Sequence, residues 1–320
     1  LNKDGSFQRT AQFRGPDLDS AVPAELVAVA GRLNNAFRRF GSGWAIFVEA
    51  QRHGVGAYPA SRFPEAASAL VDAERKADFE EDASHFESSY FLTFVFLPPA
   101  EDAARAESWL YEGKAEKGVD PWEALRGFVD RTNRVLQLVE SFMPECVWLD
   151  DSETLTYLHS AVSTNRHRVR VPETPMYLDA LLADQALTGG LEPRLGEAHL
   201  RVLTIVGFPT ATTPGLLDDL NRLAFPYRWS TRAVLLDKTD ATKLLTKIRR
   251  QWFAKRKSIA AILKEVMTNE ASVLVDTDAA NKAADADTAL QELGADYAGM
   301  AYVTATVTVW DEDPRAADEK

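Results

Sequence analysis

Five histidines, one pair of adjacent acids and one run of cations are the residues of this chain that could do chemistry. A metal site needs imidazole, thiolate or carboxylate ligands at recurring short spacings. His53, His85, His159, His167 and His199 make no such spacing with one another or with Cys146. His159 follows Leu155 by one helical turn on the apolar side of a helix, which reads as a satisfied, partly buried histidine. His167, within Asn165-Arg166-His167-Arg168, reads as an exposed loop residue rather than a general base. Asp150-Asp151 could be paired carboxylates for acid–base work, but adjacent acids before a helix usually cap it. Ser160 and Ser163 lack the turn that presents a nucleophilic serine. The phosphate-loop pattern G-x-x-x-x-G-K-[ST] is absent. Gly41-Ser42-Gly43 leads into a strand, so no helix N-terminus stands there to hold phosphate, and Gly113-Lys114 lacks the pattern too. No catalytic, cofactor-binding or metal-binding residue is assigned.

What remains is a basic run: Lys247, Arg249, Arg250, Lys255, Arg256 and Lys257, interrupted by Trp252 and Phe253. Such runs are usually a solvated helix face. The sharper reading is a contact surface for anionic lipid, nucleic acid or an acidic protein, because cations beside aromatics suit phosphate-rich partners.

The elements that must position this run are legible. A long helix is predicted from Thr239 to Thr268, with Leu244, Ile248, Trp252, Ile259, Ile262, Leu263 and Val266 as its apolar stripe. A second helix is expected after Asp276, ending at Gly294, with Ala279, Ala283, Ala286, Leu290 and Leu293 turned inward. Tyr302, Thr304, Thr306 and Thr308 then alternate with Val303, Ala305, Val307 and Val309, the period of a half-buried strand.

Upstream, a strand around Phe7, Ala11 and Phe13 precedes a helix from Pro23 to Phe40. Trp44–Val48 is a strand, Arg52–Glu87 an insertion carrying an acidic helix after Pro64, and Tyr90–Leu97 the most hydrophobic strand. A small helix and a loop reach Asp120, where Asp120-Pro121-Trp122-Glu123 starts a helix burying Leu125, Val129, Leu136 and Val139. Cys146–Leu149 is a short strand. The helix that follows is capped at Asp151, and Val171–Pro175 is extended. The order β-α-β-β-α-β is the split βαβ, or ferredoxin-like, arrangement. After Gly189-Gly190 come a strand over Leu200–Val206, a helix opened by Thr213-Pro214, a strand over Trp229–Leu236, and the two helices and strand already described. The fold class is therefore α+β: two ferredoxin-like α/β subdomains with helical insertions, residues 1–190 and 191–320, the second incomplete.

The bounds agree. A chain of 320 residues with 46% hydrophobic and 26% charged residues is globular and can hold two domains. A net charge of −12 argues against a general nucleic-acid coat. One cysteine excludes an internal disulfide. No apolar run has the length of a membrane helix. The chain opens on Leu1, and Asp313-Pro314-Arg315-Ala316 predicts a helix beginning as the sequence ends, so a fragment of a longer protein is expected.

Several longer motifs, in order, resemble one family. They include Leu1-Asn2-Lys3-Asp4-Gly5-Ser6-Phe7, Gly41-Ser42-Gly43-Trp44, His85-Phe86-Glu87-Ser88, Leu97-Pro98-Pro99 and Trp148-Leu149-Asp150-Asp151 with Leu155-Thr156-Tyr157-Leu158-His159. Further along are Gly207-Phe208-Pro209-Thr210, Leu217-Asp218-Asp219-Leu220-Asn221, Tyr227-Arg228-Trp229-Ser230-Thr231-Arg232, Arg250-Gln251-Trp252-Phe253-Ala254-Lys255-Arg256-Lys257 and Asp276-Thr277-Asp278-Ala279-Ala280-Asn281-Lys282-Ala283-Ala284-Asp285-Ala286-Asp287. Across essentially its whole length the chain resembles the N-terminal domain of the TrbE/VirB family of type IV secretion (conjugal transfer) ATPases, the TrbE branch most strongly. The resemblance implies a docking and assembly domain. The ATP- and Mg-dependent motor would be a RecA-like domain outside this chain. The whole protein would be a hexamer at the cytoplasmic face of the bacterial inner membrane, contacting inner-membrane components and powering pilus assembly and transfer. A nucleic-acid-binding or scaffold module using the basic helix over residues 243–264 is the rival reading, and a stand-alone hydrolase a third.

Overall fold

Alternation of side chains between two faces, backed by aromatic and β-branched residues, makes strands of the segments expected to be strands. In a computed structural model the described residues are 1–17, 20–81, 85–98, 121–209, 212–255 and 277–320. Strands β1 (Phe7–Arg14), β2 (Trp44–Gly54), β3 (Phe86–Phe96), β4 (Glu145–Trp148), β5 (Leu187–Thr188), β6 (Arg194–Leu195), β7 (Ala198–Thr204), β8 (Tyr227–Leu236) and β9 (Met300–Asp311) form a single nine-stranded sheet. Its order is β4-β1-β3-β2-β8-β9-β7-β6-β5, and neighbouring strands pair antiparallel. The first half supplies β4-β1-β3-β2. The β2–β8 ladder, from Ala45 opposite Val234 to Arg52 opposite Tyr227, continues the sheet into the second half.

Two helices cover one face of the first half: α1 (Pro23–Phe37) and α3 (Pro121–Glu140). They bury Phe7, Ala11, Trp44, Ile46, Leu92 and Phe94 of the sheet against Ala36, Phe40, Phe128, Leu136 and Val139. The rings interlock: Phe40 lies 4.4 Å from Trp44 and 5.6 Å from Phe94, and Trp44 stacks on Phe96 at 4.7 Å. Helix α2 (Ala66–Glu81) buries no residue, as expected of an insertion.

On the opposite face lies α4 (Asp151–Ser160), whose cap settles the role of the paired acids. Asp150 Oδ1 accepts from the Glu153 amide at 2.7 Å, and Glu153 Oε2 accepts from the Asp150 amide at 2.8 Å. This reciprocal box makes Asp150 the cap and puts Asp151, the expected cap, at the first helical position. Beyond α4 the chain makes the short helix α5 (Leu178–Leu182). Next to the second half pack α6 (Lys238–Lys255) and α7 (Thr277–Gly294), and α8 (Pro314–Glu319) follows β9.

The expected small helix before Asp120, the cap at Asp276 and the long helix beyond Lys255 lie outside the described residues. Elsewhere the structure departs from expectation for identifiable reasons. Strands β2 and β3 run on through polar residues to Gly54 and from Phe86, because His53 Nε2 and Glu87 Oε1 meet across them at 2.7 Å. The insertion is correspondingly shorter. The helix expected after Thr213-Pro214 is reduced to a 3-10 turn over Asp218–Arg222. Gly215, at φ 85°, breaks the helical path in its first turn, and Leu216 and Leu217 stay exposed with no core to reward a longer helix. Val171–Pro175 joins no strand, while β5 and β6, two residues each, had no visible signal.

The turn Gly41-Ser42-Gly43 feeds β2, as expected, and clamps the sheet to α6. Ser42 Oγ donates to Asp240 Oδ2 at 3.0 Å and accepts from the Asp237 amide at 3.1 Å. Gly43 has φ 86°, and a Cβ there would sit 2.8 Å from the Leu97 carbonyl oxygen. Gly43→Ala is expected to cost more than the roughly 1–2 kcal/mol of a left-handed residue alone, because the clash is with backbone. Thermal melts check this, and an unchanged Tm would contradict it.

Candidate functional site

The basic run lies on α6, which starts from a good cap. Asp237 Oδ1 accepts from the Asp240 amide at 2.8 Å, and Ala241 is fully buried below. Ala283, Ala286 and Leu293 of α7 are buried, and small residues let the two helices approach closely. Charge crosses this hairpin. Arg249 Nη1 meets Asp287 Oδ1 at 3.0 Å, Lys282 Nζ lies 4.5 Å above the Trp252 ring, and Lys238 Nζ meets Asp296 Oδ1 at 2.8 Å. Of the six cations singled out from the sequence, Arg249 is thus engaged within the chain. Lys247 and Arg250 are exposed and make no ion pair with a described residue. The side chain of Lys255, with Arg256 and Lys257, lies outside the described residues.

Beneath α4 the sheet presents a polar face that sequence reasoning missed. Thr10 and Thr93 hydroxyls are 2.8 Å apart, and Thr93 reaches the Tyr157 hydroxyl at 3.1 Å. Burial pushes the Tyr157 phenol up to about 12, and the charge of Glu49 adds to the shift. Gln51 Nε2 donates to Ser160 Oγ at 3.0 Å. Arg228 Nη2 meets Glu49 Oε2 at 2.5 Å, and its Nη1 donates to the Ser160 carbonyl at 2.8 Å. Alternation marks Thr10, Glu49, Gln51 and Thr93 as outward-facing; that a second layer covers them has no local signature.

At the edge of this layer is a cavity of about 470 Å³, lined in part by Gln12, Phe91, Tyr157, His159, Arg166 and His167. His159, on α4, is 2% exposed, more deeply buried than expected. Its ring lies 4.3 Å from that of His167, which is exposed as expected. Asp184, beyond α5, places Oδ2 3.1 Å from His159 Nε2 and accepts there from Asn165 Nδ2 at 2.9 Å. Hydrogen bonds from Asn165 and Ser163, and then His159, hold the Asp184 carboxyl far below the usual carboxylate range. Gln185 Oε1 accepts from the Thr164 amide at 2.8 Å and from the Thr164 and Ser163 hydroxyls, pinning the His167 loop to the Asp184 segment. Short-range spacing could not announce a cluster drawn from three segments. Cys146 offers no ready nucleophile: it is buried, which pushes its thiol up to about 11.

Comparison with known proteins agrees with the whole-chain likeness. A family model described as "Type IV secretion system ATPase VirB4/TrbE, N-terminal domain" matches residues 1–104. A probable conjugal transfer protein TrbE of Sinorhizobium fredii is 36% identical over 119 residues, covering 36% of this chain and 80% of that protein. The chain belongs to the VirB4/TrbE family. "Conjugal transfer protein TrbE" of Rhizobium radiobacter is 30% identical over 337 residues, which take in 100% of this chain. The aligned stretch is 40% of that relative's own length. Among the described residues no helix is long and apolar enough to cross a membrane.

Proposed function

We propose that this VirB4/TrbE-family chain is the docking and assembly portion of a conjugal transfer ATPase, the motor that powers pilus assembly and DNA or protein transfer. The similarity of the whole chain to a TrbE protein more than twice as long carries this reading. In it, ATP and Mg bind a RecA-like domain outside residues 1–320. The absence of a phosphate loop from this sequence and the turn–strand setting of Gly41-Ser42-Gly43 support that assignment. The full protein works as a hexamer at the cytoplasmic face of the inner membrane. The first subdomain, 1–190, is ferredoxin-like, a reading supported by its β4-β1-β3-β2 antiparallel order. Residues 191–320 form the second subdomain, joined to it through the β2–β8 ladder.

The basic face of α6 is the docking surface, aimed at inner-membrane components of the secretion system. Lys247 and Arg250 project there beyond the internal pairing of Arg249. A cation near an anionic surface is worth about 1 kcal/mol. Reversing both charges with Lys247→Glu and Arg250→Glu is therefore expected to weaken co-sedimentation with inner membranes carrying the conjugation apparatus by more than about tenfold. The melting temperature should hold, since both positions are exposed. Unchanged association would make α6 a solvated face. A gain in steeply salt-dependent binding to nucleic acid by the unmutated chain, with no membrane association, would favour the nucleic-acid module instead.

A further inference from the structure

We propose that His159, His167 and Asp184 bind one divalent transition-metal ion, with Zn2+ the best chemical match. The ion would lock α4, its following loop and the Asp184 segment into one layer.

The three ligand atoms lie within 4.8 Å of one another, close enough to share a single ion. His159 is 2% exposed, and its Nε2 has no hydrogen-bond partner among the described residues. Asp184 Oδ2 approaches that nitrogen to 3.1 Å without the alignment of a hydrogen bond. Two ligands on one tetrahedral ion, each bonded at about 2.0–2.1 Å, stand about 3.3 Å apart. A buried, unaligned nitrogen facing a carboxylate at that separation is what coordination by a shared ion looks like. The second imidazole sits on the same spot, its ring 4.3 Å from the first. Two imidazoles and one carboxylate form a borderline-soft donor set, which suits zinc and its first-row neighbours rather than magnesium or calcium. The surroundings are those of a held site. Asn165 Nδ2 orients the carboxylate at 2.9 Å, and Gln185 fixes the loop carrying His167. His167 and Asp184 are both exposed, so the ion has a route in and a fourth position open to water or to a ligand from outside the chain.

The bland alternative is an ordinary His159–Asp184 contact with His167 merely nearby. Tag-free 320-residue chain, stripped with a chelator, separates the two. Titration with Zn2+ should show one ion bound per chain and a raised Tm, and Co2+ should give the visible absorption bands of a tetrahedral site. His167→Ala, at an exposed position where folding is not at risk, should abolish both signals. Asn165→Ala should weaken binding about 10- to 100-fold as the loss of an orienting partner. His53→Ala should leave binding intact. Absence of one-to-one binding, or binding that survives both His167→Ala and Asp184→Asn, would overturn the proposal and leave the ordinary contact.

Discussion

Phe94→Ala is expected to lose about 3–5 kcal/mol of folding stability. Phe94 is fully buried at the centre of β3, between the sheet and the α1–α3 layer. Four rings frame it: Phe40 at 5.6 Å, Phe37 at 6.4 Å and Trp148 at 6.0 Å are in direct register, with Trp44 stacked behind Phe40. These groups belong to different elements, so none can fill the void without moving a strand or helix. The cost therefore combines lost apolar transfer with an unrelaxed cavity. Denaturant unfolding measures it, and the midpoint should fall sharply at nearly constant slope. Phe91 makes the contrast. Its ring pairs with Tyr157 on the other face, at the half-exposed rim of the cavity, so Phe91→Ala should cost clearly less. Equal losses at the two positions would mean that the core is not where the structure puts it.

Arg228→Met is expected to be comparably damaging, by about 3–5 kcal/mol, for an electrostatic reason. Glu49 is 6% exposed and lies on the β2–β8 seam. Its Oε2 is 2.5 Å from Arg228 Nη2, and its Oε1 accepts from Ser230 Oγ at 3.3 Å. With Arg228 gone, a buried carboxylate keeps one long hydrogen bond, and the Ser160 carbonyl loses its donor. The double change Glu49→Leu with Arg228→Met should recover most of the loss, because replacing a buried ion pair by apolar groups is often neutral or better. A double variant as unstable as the single would show instead that Arg228 acts through packing. The same seam carries the sheet from one half of the chain to the other, so this pair bears on the architecture and not only on stability.

Much of this architecture was legible in local pattern. Alternation in β1, β3 and β9, the cap-and-proline start of α3, and the stop at Gly294 each follow from a few adjacent residues. What was not legible depends on distant partners. The continuation of β2 past Arg52 needs Glu87 and Ser88 opposite, and the truncation after Pro214 turns on the φ of Gly215 and the lack of a surface for Leu216. The joining of the halves rests on β2 and β8, far apart in sequence. The same holds for the sites. The basic run was visible as composition, but the pairing of Arg249 with Asp287 required the α6–α7 hairpin. His159, His167 and Asp184 carry no motif, and only the folding of α4, its loop and α5 brings them together.

The measurement that tests the functional account most directly is ATP turnover by the 320-residue chain, compared with the protein extended through the remainder of its reading frame. If these residues dock and assemble a motor whose ATP site lies elsewhere, the chain alone releases no phosphate and the extended protein does. Turnover by the chain alone, at the rate of the extended protein, would contradict the account and place an ATP site within residues 1–320.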